Sequence, residues 1–145
     1  GYDIGNVIAN MIFAWANGDA AGAEDFCKWV ESVLVDVVNM TKEKMEKYYD
    51  EHVTDTMCKN ALYKKYYMDT IIEDTSAVTG LELIRRIVGM ANVKDITTIA
   101  DEAKRARAEK ICITAAIDFI KNRNDKKCGK CFLRTLKDAI AEIDA

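Results

Sequence analysis

The most reactive-looking motif in the sequence is Cys128-Gly129-Lys130-Cys131. Two thiols three positions apart at the start of a helix can act as a redox pair, because the positive end of the helix dipole lowers a thiol pKa. That chemistry normally sits in a βαβ setting, and no strand pattern occurs in this chain. Zinc needs four ligands at a workable spacing. Beyond the pair there are only Cys27, Cys58, Cys112 and His52, all scattered, so no metal site is expected. A structural role accounts for the pair better: two disulfides that join Cys128 and Cys131 to Cys27 and Cys58 and pin the last helix to earlier ones. If the last two helices turn near Asn124, Cys112 lies about 18 Å before the turn and Cys128 only about 6 Å after it, at ~1.5 Å per residue. Bridged Cα atoms must come within ~7 Å, so Cys112 is the expected free thiol.

Other reactive groups are sparse. His52 is the only histidine, and Ser32 and Ser76 are the only serines. No nucleophile elbow frames either serine, and His52 follows Asp50-Glu51 on a charged stretch suited to solvent. Neither a Walker A loop nor GxGxxG occurs, and there is no EF-hand, His-Glu-x-x-His or Glu-x-x-His pattern. These absences predict a protein without catalytic activity and without a cofactor.

Two clusters have the composition of contact surfaces. Leu62-Tyr63-Lys64-Lys65-Tyr66-Tyr67 interleaves aromatic and basic residues, and consecutive positions on a helix cannot all point inward. Tyr63, Lys64, Tyr66 and Tyr67 are therefore the expected binding residues, tyrosine being enriched at interface centres. The second cluster is a basic patch of Lys121, Arg123, Lys126, Lys127 and Lys130 around the turn into the last helix. Asn39-Met40-Thr41 is a glycosylation triplet, usable if Asn39 lies in a turn before a helix that starts at Thr41.

The elements that carry these residues all read as helices. Half of the 145 residues are hydrophobic and 31% are charged, which excludes a disordered chain. There is no proline and there are only seven glycines, so the turn residues that sandwiches and barrels require are missing. Apolar residues recur at helical spacing from Ile4 to Trp15, from Phe26 to Val37 and from Phe132 to Ile143. Thr54-Asp55-Thr56 reads as a restart, and Thr79-Gly80-Leu81-Glu82 as a capping box opening a short helix. A long helix is expected from about Asp95 to Asn122, with its buried face changing near Arg105–Lys110, so that residues 110–122 form a central core helix. The expectation is one all-α domain over 1–145, a bundle of six or seven helices with short turns stapled by two disulfides.

Charge is uneven, with −7 over residues 1–56, +1 over 57–100 and +3 over 101–145. Attraction between acidic and basic helices explains this more simply than an anionic partner, and the imbalance is too small to suggest nucleic acid. The longest uncharged stretch, Ile4–Gly18, is too short to span a bilayer. The chain begins at Gly1 rather than Met, as a processed secreted protein would and equally as a trimmed piece of a longer chain would.

Together these features predict a secreted, non-catalytic helical protein that binds another protein as an inhibitor or effector. It resembles in type, though in no motif, the small helical proteins secreted in saliva, in venoms and by parasites. Two other readings fit the same residues. One is a carrier that holds a small apolar ligand in a helical cavity. The other is an intracellular adaptor with reduced thiols.

Overall fold

The computed structural model describes residues 1–145 and contains six α-helices and no strand. They are α1 (Tyr2–Ala20), α2 (Glu24–His52), α3 (Ala61–Ile87), α4 (Lys94–Thr97), α5 (Glu102–Lys121) and α6 (Gly129–Asp144), with a 3-10 turn at Arg123–Asp125. One continuous core of 23 buried residues draws on every helix. Its largest side chains include Phe13 of α1, Leu34 of α2, Leu83 of α3, Phe119 of α5 and Phe132 of α6, all fully buried. The Phe119 and Phe132 rings meet at 5.3 Å and 40°, the tilted arrangement their quadrupoles favour.

Helix α3 holds the bundle together through small residues. Thr75, Ser76, Thr79 and Gly80 are buried on it. On one side, the Thr79 hydroxyl donates within α3 to the Thr75 carbonyl at 2.8 Å and faces the Gly5 carbonyl of α1 at 3.3 Å. On the other, the Ser76 hydroxyl donates to the Phe119 carbonyl of α5 at 2.8 Å. Gly80 allows the close crossing, since a Cβ there would stand 2.6 Å from the Ala116 carbonyl oxygen.

Several sequence expectations change. The capping box at Thr79–Glu82 lies inside α3, because both side chains are engaged elsewhere. Thr79 bonds back one turn, and the Glu82 carboxylate accepts hydrogen bonds from Arg85 and Arg86. Asn60 is the real cap, its side chain accepting from the Leu62 and Tyr63 N–H groups. Of the two readings open at Thr41, a new helix or a continuation of the one before it, the continuation holds, since α2 runs through it. The expected long helix from Asp95 is broken at Thr98–Asp101, and the Asp101 carboxylate caps α5 by accepting from Ala103 and Lys104. Residues 110–122 do lie centrally, with Ile111, Cys112, Ala115, Ala116 and Phe119 buried. Ile117 is exposed, so α5 buries one face rather than most of its circumference.

The two staples do not form. All five cysteines are free thiols. The start of α6 sits against the middle of α2, where the Gly129 N–H donates to Asn39 Oδ1 at 2.9 Å. Cys27 lies twelve positions before Asn39 on α2, roughly 18 Å away along the axis. Cys58 lies beside Tyr49, ten positions after Asn39 or roughly 15 Å on. Neither can reach Cys128 or Cys131. Cys112 is free, as are the other four, and burial pushes its thiol up to about 12.

The charge asymmetry is spent on contacts between helices. Arg107 of α5 holds both Asp144 Oδ atoms of α6 at 2.7 Å and reaches Asp19 at the end of α1. Lys137 of α6 pairs with Glu31 of α2.

Two predictions follow from this packing. Gly80→Ala should destabilise the protein by about 1–3 kcal/mol through overpacking against α5, despite the ~1 kcal/mol helix-propensity gain, as read by urea denaturation. The carboxylates of Glu82, Asp118 and Asp144 sit below their usual range. Burial works against this at Glu82 and Asp118, where arginine or lysine and hydroxyl partners outweigh it, while Asp144 is held chiefly by Arg107. Their contribution is therefore fully present above the unfolded carboxylate range and is lost as pH falls through the lower folded values. Melting temperature should drop steeply below about pH 4, and Asp118→Asn should flatten that drop.

Candidate functional site

Beyond residue 40, α2 leaves the core, and only the first half of α3 packs along it. Between them lies a groove of about 770 Å³ lined by Met45, Tyr48, Tyr49, His52, Val53, Cys58, Tyr63, Tyr67 and Met68, with Lys44 as its one cation. The loop between α2 and α3 closes one end. There the Asp55 carboxylate accepts from the Met57 and Cys58 N–H groups, and the Tyr49 hydroxyl donates to the Cys58 carbonyl at 2.8 Å.

The groove is walled by paired rings. Tyr63 and Tyr67 are near-parallel at 8°, with centroids 6.4 Å apart, and Tyr49 meets Tyr67 at 5.6 Å. His52 stacks on Tyr48 at 3.9 Å, and its Nδ1–H donates to the Tyr48 carbonyl at 3.0 Å. Burial and the adjacent Cys58 push the Tyr49 hydroxyl up, and Cys58 and burial do the same for Tyr63, so both remain neutral donors. With π faces, two thioethers and a single lysine, the surface suits apolar or aromatic contact.

Tyr63, Tyr66 and Tyr67 all reach solvent, Tyr66 with 65% of its surface exposed. Lys64 instead turns to Asp50 of α2 and pairs with it at 2.6 Å. Sequence reasoning did not connect Tyr48, Tyr49, His52 and Cys58 with this segment. The i, i+4 spacing of Tyr48 and His52 was the available signal.

The basic patch divides. Lys126 is buried and pairs with Asp118 at 2.6 Å, and Lys127 pairs with Glu73 of α3. Lys121, Arg123 and Lys130 are exposed. Asn39 lies within α2 rather than in a turn, and its Oδ1 is occupied by the Gly129 N–H. No three His, Cys, Asp or Glu side chains converge to hold a metal ion, and no helix is long and apolar enough to cross a membrane.

Tyr49→Phe should cost about 1 kcal/mol by removing the tie to Cys58. Tyr66→Ala should change stability by under about 0.5 kcal/mol, as exposed positions do. Thermal unfolding of the two variants measures the difference.

No protein-family model matches the chain. Individual proteins do. It is 30% identical over 142 residues to methylthioribose kinase 1 of Oryza sativa subsp. japonica, covering 85% of this chain and 32% of the relative. Methylthioribose kinase 2 of the same plant is 30% identical over 139 residues, covering 85% of the chain and 33% of the relative. The methylthioribose kinase of Bacillus pumilus is 27% identical over 142 residues, covering 98% of the chain and 35% of the relative. The chain thus spans about a third of the length of the curated relatives it matches. These relatives overturn the expectation of a non-enzymatic protein, and with it the inhibitor, effector, apolar-carrier and adaptor readings. The secreted assignment falls as well, since it rested on bridges that do not form and on a binder role that kinase relatives contradict. What the chain is similar to, over about a third of their length, is a set of methylthioribose kinases.

Proposed function

We propose that this chain forms a helical part of a kinase that transfers a phosphoryl group to methylthioribose. The observation that carries the reading is 30% identity sustained over 142 residues to a methylthioribose kinase. Phosphoryl transfer depends on groups that cradle the phosphates, carboxylates that hold a divalent ion and a residue that orients the acceptor hydroxyl. The residues of this chain do not fit the ion, because no three ligating side chains converge. On this reading the chain is the packed support of the enzyme, and the phosphate-holding centre belongs to the portions of the relatives that it does not match.

Within that role we propose that the exposed Tyr63, Tyr66 and Tyr67 edge is a contact surface for protein. Its support is the exposure of three rings beside an apolar groove.

The test is a phosphorylation assay on the protein as its source makes it, with ATP and either methylthioribose or ribose. Phosphorylated methylthioribose should appear, with kcat/KM at least about tenfold above that for ribose. A folded protein that binds ATP yet leaves methylthioribose unmodified would sink the proposal.

A further inference from the structure

The segment 126–131 is where four helices meet. Lys126 pairs with Asp118 of α5, Lys127 with Glu73 of α3, and the Gly129 N–H with Asn39 of α2. Gly129 lies so close to α2 that an added Cβ would stand 2.3 Å from the Val35 carbonyl oxygen. This main chain is therefore held on several sides. Cys128, with extended backbone, caps α6, and the Cys131 N–H donates to the Cys128 carbonyl at 2.9 Å. The two Sγ atoms are 3.2 Å apart in a thiol hydrogen bond, and both residues are half-buried and reachable from solvent. Cys27 and Cys112, by contrast, are buried in the core.

We propose that Cys128 and Cys131 are a reversible redox dithiol, converted by a small disulfide oxidant into a bridge within the first turn of α6. This pairing differs from the long-range staples that the structure excludes, and it does not rest on the kinase reading. An S–S bond of ~2.05 Å requires the sulfurs to close by roughly 1 Å, a side-chain adjustment that leaves the anchored main chain in place.

The chemistry balances in two exchanges. The Cys131 thiolate attacks one sulfur of the oxidant, forming a mixed disulfide and expelling one thiolate. The Cys128 thiolate, already in contact, then attacks Cys131 Sγ and expels the second. Two protein thiols are oxidised, one external disulfide is reduced to two thiols, and the two protons pass to the leaving thiolates. Cys131 is suited to attack first. Burial pushes its thiol up, but hydrogen bonds from the Cys128 thiol and from the Lys127 and Cys128 main chain, aided by the Arg134 charge, hold it below the ordinary thiol range. Its place in the first turn of a helix acts in the same direction.

The experiment equilibrates the whole protein in buffers of graded reduced-to-oxidised glutathione ratio, alkylates the remaining thiols after unfolding, and maps the peptides. The expected product has lost two hydrogens, links Cys128 to Cys131, and leaves Cys27, Cys58 and Cys112 alkylated. Cys128→Ser should stop at a stable glutathione adduct on Cys131, and Cys131→Ser should react with oxidised glutathione at least about tenfold more slowly than the parent. A glutathione adduct on the parent protein without a bridge would overturn the proposal. So would oxidation of Cys58 first, or no reaction at the most oxidising ratio. Far-UV circular dichroism of both variants, with the parent helical signal expected, separates lost reactivity from lost folding.

Discussion

The close approach of α3 to two other helices is the constraint on which the rest of the fold depends. Its buried face from Thr75 to Gly80 carries hydroxyls and hydrogen in place of long side chains. The backbones of α1 and α5 can therefore come near enough for Thr79 to face the Gly5 carbonyl and for Ser76 to bond the Phe119 carbonyl. Each buried hydroxyl thereby finds an acceptor, which an apolar interior demands. With α5 set against α3, Phe119 meets Phe132 and positions α6, and Arg107 joins the ends of α1 and α6.

That arrangement leaves the far half of α2 outside the core. Its rings pack with those at the start of α3 to wall the groove, and the polar ties there are the Tyr49 hydroxyl on the Cys58 carbonyl and the Lys64–Asp50 ion pair. The contrast within one helix is physical. Val30, Leu34 and Val38 bury a full stripe, whereas Met45 and Tyr49 are only half covered. This open apolar surface is what the proposed protein contact would use.

Similarity to methylthioribose kinases sits comfortably with a chain that is well packed and poor in reactive groups. A kinase concentrates its chemistry in a few phosphate- and ion-binding residues and uses the remainder as rigid support. The scarcity of catalytic residues in this chain does not exclude an enzyme. A chain that spans about a third of the length of its curated relatives need not itself carry the groups that do the chemistry.

Helical periodicity and the absence of proline were enough to establish an all-α chain, because amphipathic stripes and missing turn residues are local properties. That at least one of Tyr63, Tyr66 and Tyr67 is exposed was legible for the same reason, since crowded aromatic positions on one helix cannot all face inward, but that all three reach solvent was decided by the fold. The helix boundaries were less legible. Thr79 and Glu82 have the spacing of a cap, yet Arg85, Arg86 and the Thr75 carbonyl engage them within α3, and only the folded neighbours decide between those partners. Cysteine pairing was beyond the sequence altogether. The spacing of Cys27, Cys58, Cys128 and Cys131 said nothing of where α6 begins along α2. The fold places that start at Val35 and Asn39, out of reach of Cys27 and Cys58, because Gly129 alone lets the two backbones touch there.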